Sequence, residues 1–165
     1  MIKIIKYFFE SIIIFFFFIV IKIIGLNLSR KIFSTIFKII GPIFKSGKII
    51  DNNLEIFMGL HNAEIKKKIK LSMWSNYGKI FVEYLFLKKF KNNNFHINIK
   101  GKHILDSILN KDKPVIFVSG HFANFELMSM ELIKHKIKLA TIYRPLNNIF
   151  LNPIMEYFRK TYICK

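Results

Sequence analysis

Two titratable side chains, His121 and Glu126, stand five positions apart in the stretch Ser119-Gly120-His121-Phe122-Ala123-Asn124-Phe125-Glu126. A neutral imidazole can take a proton from a hydroxyl, and a carboxylate bonded to its second nitrogen fixes the tautomer. In one continuous helix, residues five apart lie about 140° apart around the axis and share no face. The two can act together only if His121 sits in a turn before a helix and folds back toward Glu126 on its first or second turn. At a helix start the dipole also holds a histidine in the neutral form. A histidine capping a helix beside a solvated glutamate explains the same spacing, so the pair alone is a weak signal. Asn124, between them, either caps the helix or contacts a substrate. Arg144 and Arg159 follow the motif in a chain with only three arginines among 27 basic residues; a surface salt bridge is the plainer reading of each. Five scattered histidines with no His-Glu-x-x-His or Cys-x-x-Cys pattern predict no metal site, and no cofactor is expected. The single cysteine, Cys164, excludes an internal disulfide.

The elements around the pair follow from composition. Val115-Ile116-Phe117-Val118 is an apolar, β-favouring run and reads as a buried strand. Ser119 and Gly120 end it, and a helix is predicted over Ala123 to Lys134. Chemistry at the carboxyl end of such a strand is where open α/β sheets place it. Phe95 to Ile99 and Lys138 to Tyr143 read as two more strands, with a short helix at His103 to Asn110, a turn at Asp112-Lys113-Pro114 and a helical segment toward Tyr162. Upstream, Asn62 is the expected N-cap of a helix reaching about Leu87. Trp74 and the aromatics of that helix are expected in its core rather than in a ligand site. Asp51 to Leu60 reads as a short helix, and Leu28 to Phe44 as an amphipathic one broken by Gly41-Pro42. The alternation predicts an α/β fold: a partly parallel sheet with flanking helices, incomplete after three strands, preceded by an N-terminal membrane helix.

That first helix is a strong signal. Tyr7 to Leu26 is apolar over about twenty residues, enough to cross a hydrocarbon core. No small-residue cleavage site follows it. Basic residues are more numerous after the segment (Lys22, Arg30, Lys31, Lys38, Lys45) than before it, which orients the remainder toward the cytoplasm. The predicted organisation is an anchor over residues 1–27 and one α/β domain over 28–165. A helix lying on the membrane surface is the alternative. The net charge of +17 favours anionic partners, although a lysine-, isoleucine- and asparagine-rich composition also arises from an AT-rich genome. Nucleic acid is not the expected partner, because no reading motif is present and an anchor argues against it.

Three stretches together resemble the late acyltransferases of lipid A biosynthesis, the lauroyl/myristoyl transferase family. Ser119-Gly120-His121-Phe122-Ala123-Asn124-Phe125-Glu126-Leu127 resembles its His-x4-acid motif. Met73-Trp74-Ser75-Asn76-Tyr77-Gly78-Lys79 with Glu83-Tyr84 resembles its upstream helix. Tyr143-Arg144-Pro145-Leu146-Asn147-Asn148, then Asn152-Pro153 and Arg159, resembles its downstream segment. The resemblance implies a glycerolipid-acyltransferase-like fold. It also implies transfer of a fatty acyl chain from acyl carrier protein to a hydroxyl of a lipid A precursor, on the cytoplasmic side of the inner membrane. On that implication His121 is the general base and Glu126 its orienting partner. Arg144 contacts a substrate phosphate, while Arg159 or the backbone near Phe122 and Ala123 supplies oxyanion donors. Family members continue for about as long again, so the chain is expected to be a truncated form or one half needing a C-terminal partner. The competing expectations are a non-catalytic basic membrane protein, or an inactive fragment in which His121 and Glu126 point apart. A glycerol phosphate acyltransferase would carry further glycine-rich motifs, which are absent here.

Overall fold

A computed structural model describes residues 2–44, 47–59, 62–94, 96–109 and 113–164. The expected Phe95, Asn110 and Asp112 positions, and Leu60 at the end of the third helix, lie outside the described residues. Eight α-helices are described: α1 (Ile2–Ile24), α2 (Leu26–Phe44), α3 (Gly47–Met58), α4 (Ala63–Glu83), α5 (Leu87–Asn92), α6 (Lys102–Leu109), α7 (Glu126–Lys134) and α8 (Asn152–Phe158). A 3-10 turn (Tyr84–Phe86) joins α4 to α5, and a π turn (Arg159–Ile163) continues α8. The chain divides into two compact units, residues 18–85 and residues 1–17 with 86–165.

The expected α/β architecture is corrected. Among the described residues there is no strand, and helix accounts for 73% of them. The reason is that a strand exists only through hydrogen bonds to a neighbouring strand. Residues 115–118 and 138–143 carry no backbone ladder. Ile116 and Val118 are 90% and 91% exposed, and Ile142 is fully open to solvent. β-propensity records how well a side chain fits a half-buried pleated surface; it does not supply the partner. Residues 96–99 form no strand either. After Leu87, where the predicted helix ends, the chain forms the short helix α5.

In the unit of residues 18–85, α2 packs along α4. Phe81 is the hub, with ring centroids 5.5, 5.6 and 5.7 Å from Phe18, Phe33 and Phe37. Ile21, Leu26, Phe33 and Val82 are buried around it. Two glycines allow the helices to approach. A side chain at Gly78 would meet the Phe33 carbonyl, and one at Gly41 would meet the Trp74 ring. The predicted break at Gly41-Pro42 does not stop α2, which runs on to Phe44. Asn62 caps α4 as expected, its Oδ1 accepting from the backbone N–H of Glu64 and Ile65 at 2.9 and 3.1 Å. Polar pairs lock the seam: Ser34 with Ser75 at 2.6 Å, and Arg30 with Glu83 at 3.0 Å.

In the other unit, Leu87 and Phe90 of α5, Met130 and Leu132 of α7, and Ile163 of the π turn are buried. The Lys134 ammonium donates to the Phe90 carbonyl at 2.8 Å and pairs with Glu131 at 2.5 Å, tying α7 to the end of α5. The first turns of α1 belong to this unit, and buried Asn148 donates to the Tyr7 carbonyl at 2.9 Å. Among the described residues α1 alone is long and apolar enough to cross a membrane, with mean hydropathy 2.4 over its best window.

Candidate functional site

The site is built where an irregular segment runs into α7. Helix formation starts at Glu126, three residues later than the apolar pattern predicts. Ala123 explains the delay: its φ of +46° is left-handed. For a residue with a Cβ that conformation costs roughly 1–2 kcal/mol. Such strain persists only where surrounding contacts over-determine it. Phe125 is the last residue before the helix, and its carbonyl accepts from the Met128 N–H at 3.2 Å. Asn124 is half-buried, and its carbonyl accepts from the Leu127 N–H at 3.1 Å.

Glu126 is 5% exposed at the first position of α7. The first turn of a helix is the end that favours negative charge. Arg159 Nε and Nη2 both donate to Glu126 Oε1, at 3.1 and 2.9 Å. The two side chains retain only 6% and 16% of their exposure, so this is a desolvated ion pair. Arg159 opens the π turn, in which the Cys164 N–H donates to the Arg159 carbonyl at 2.9 Å. That wider winding is the kind often found at functional sites. Tyr143 lies over the Arg159 guanidinium at 4.6 Å, within cation–π range. The Tyr143 phenol is raised above its ordinary value by desolvation and then by the neighbouring Glu156 carboxylate, which accepts its hydrogen bond.

The predicted residues divide between those the structure gathers and those it leaves apart. Glu126 and Arg159 meet directly. His121 lies in the segment before α7, exposed, with its ring 4.2 Å from Phe125. Among the described residues it makes no hydrogen bond to Glu126. Arg144 is exposed and has no ion-pair partner among the described residues. Two asparagines of the downstream segment hold the loop before α8. Asn148 Oδ1 accepts from the Phe150 N–H at 3.0 Å, and Asn152 Oδ1 from the Leu146 N–H at 2.8 Å. Tyr143 is the member that sequence reasoning quoted within a motif but assigned no role. The Arg159–Glu126 contact joins residues 33 apart, and no local pattern signals such a distance. Among the described residues no group of three or more His, Cys, Asp or Glu is placed to hold a metal ion.

A family model described as bacterial lipid A biosynthesis acyltransferase matches residues 1–162. No curated protein and no solved structure gives a significant match.

Proposed function

The chain belongs to the bacterial lipid A biosynthesis acyltransferase family, and from that premise we propose that it transfers a fatty acyl chain from acyl carrier protein to a hydroxyl of a lipid A precursor. His121 is the general base in this reading. Its exposure at the head of α7 leaves the imidazole open to an incoming hydroxyl. It takes the hydroxyl proton as the oxygen attacks the thioester carbonyl. The carbon–sulfur bond then breaks, and the departing thiolate takes up a proton. Glu126 is its positioning partner, and Arg159 holds that carboxylate in place. Catalytic hydrogen bonds are often long or absent before substrate binds and tighten in the complex, so His121 turns from Phe125 toward Glu126 when the acceptor is present. Arg144, with no ion-pair partner among the described residues, binds a phosphate of the acceptor; Asn124 orients the acceptor. The reaction runs at the cytoplasmic face of the inner membrane, with α1 as the anchor.

The observation that carries this reading is the desolvated Arg159–Glu126 pair beside an exposed histidine. A buried ion pair is seldom the best way to stabilise a fold, which supports a chemical role for this one. A second reading, a non-catalytic membrane protein, is favoured by the contact of the His121 ring with Phe125, tilted at 57°. Transfer by the purified protein, with acyl carrier protein as donor and a lipid A precursor as acceptor, separates the two. Loss of a general base lowers the rate by about 10²–10⁴, so His121→Ala is expected to reduce transfer by that factor. Unchanged transfer in that variant would rule out His121 as the base, and no transfer by the folded parent protein would favour the second reading.

A further inference from the structure

Helix α3 is turned inside out for a helix in water. The face it presents to α4 is charged: Asp51 pairs with Lys70 at 2.8 Å, and Glu55 pairs with Lys66. The opposite face carries Ile49, Ile56 and Phe57, with the exposed Asn52 and Asn53 between and beside them. Ile49 and Ile56, seven positions apart, lie within about 20° of each other around the axis, and both stand roughly 100–160° from the two acids. Ile49 is 54% exposed, Ile56 85% and Phe57 88%. No residue of α3 is buried. In water such a face belongs against the core, with the acids outside. Salt bridges that hold the charged side inward therefore fix the apolar side outward.

We infer that this outward face is a membrane contact, with Ile49, Ile56 and Phe57 seated in the interface of an anionic bilayer. Three features select lipid as the occupant. The face is small, whereas a stable protein interface takes about 20–30 residues a side. The helix that carries it also bears the exposed Lys48, which suits anionic headgroups. The unit that carries α3 also contains about the last two turns of α1, and α2 follows α1 after Gly25 alone. A spanning α1 would therefore keep this unit at the bilayer surface. An interfacial helix with an apolar face and a lysine-rich flank is the ordinary form of such a contact. The contact is independent of the acyl-transfer chemistry and lies in the unit that does not contain His121.

The full-length chain, reconstituted in phosphatidylcholine–phosphatidylglycerol vesicles, provides the test. Cys164→Ser removes the native thiol, and Ile56→Cys or Phe57→Cys then takes an environment-sensitive fluorophore. Both positions are exposed, so labelling leaves the packed core intact; far-ultraviolet circular dichroism verifies the fold. A blue-shifted emission is expected, with roughly twofold quenching by nitroxide lipids labelled near the headgroup and weaker quenching by nitroxides at mid-bilayer. Emission characteristic of water would overturn the proposal. So would a blue shift without lipid quenching, since a second copy or another protein would then cover the face. The acyl-transfer assay reads the other site separately, so failure of either proposal leaves the other intact.

Discussion

Replacing Arg159 by methionine keeps most of its volume and removes its charge, leaving the Glu126 carboxylate desolvated and without its guanidinium. At 2.9 Å the pair attracts by about 6 kcal/mol with an effective dielectric near 20, most of which offsets the desolvation of the two ions. Removing one partner leaves the desolvation of the other, typically about 3–5 kcal/mol. At roughly 2–4 °C per kcal/mol for a chain of this size, the melting temperature should drop by about 6–20 °C at pH 7. Thermal unfolding of the detergent-solubilised protein, followed by circular dichroism, measures it. Adding Glu126→Gln removes the stranded charge and should recover most of the loss at pH 7. No recovery in the double variant would show that the ion pair is not the desolvated contact the distances imply.

Asn148→Ala removes the donor to the Tyr7 carbonyl and the acceptor for the Phe150 N–H; the loss should be about 2 kcal/mol, seen as a fall of roughly 4–8 °C in the same melt. Ala123→Gly relieves a left-handed alanine and should raise stability by about 1 kcal/mol in thermal unfolding, whereas Ala123→Val should lower it further than an ordinary surface change. His96 is held below its ordinary value by burial first and Lys134 second, against an opposing effect of Glu131. Its contribution is complete above about pH 6.5 and declines as the pH falls toward the folded-state value. His96→Gln should flatten that part of the stability profile between pH 8 and pH 5, and an unchanged profile would refute the assignment.

The parts of the fold legible in the sequence are those with local causes. Asn62 has a side-chain acceptor within two or three residues of the N–H groups it caps. The apolar run of α1 and the striped face of α2 are set by periodicity alone. His121 falls before α7 because Ser119 and Gly120 interrupt the apolar pattern. What stayed hidden depends on partners distant in the chain or absent from it. Val115 to Val118 has strand composition, yet a ladder needs a neighbour that composition cannot name. The start of α7 was misplaced because a left-handed alanine leaves no trace in propensity. Arg159 was singled out for its rarity, but nothing near it in sequence says that its guanidinium meets Glu126. The orientation of α3 has a related cause: nothing near Asp51 and Glu55 in sequence says that they meet Lys70 and Lys66.

The two units divide the polar work differently, and the difference bears on where chemistry can occur. Between α2 and α4 the contacts are aromatic rings, two close-approach glycines and short polar locks at the seam. A seam of that kind is cheap to keep and hard to move. The unit holding α7 instead has tertiary ties made by buried or half-buried polar side chains: Lys134 with Glu131 and the Phe90 carbonyl, Asn148 with the Tyr7 carbonyl, and Arg159 with Glu126. Lys134 serves the Phe90 carbonyl in the last turn of α5, where helix carbonyls lack intrahelical partners, and so explains itself as structure. The Arg159–Glu126 pair runs from side chain to side chain. It places an acid at a helix start, under a tyrosine, five residues from an exposed imidazole. Apolar residues of the same volume would fill that space at equal or greater stability. Packing does not require such a pair, and its acid shares a motif with His121, whose imidazole can take a proton from a hydroxyl.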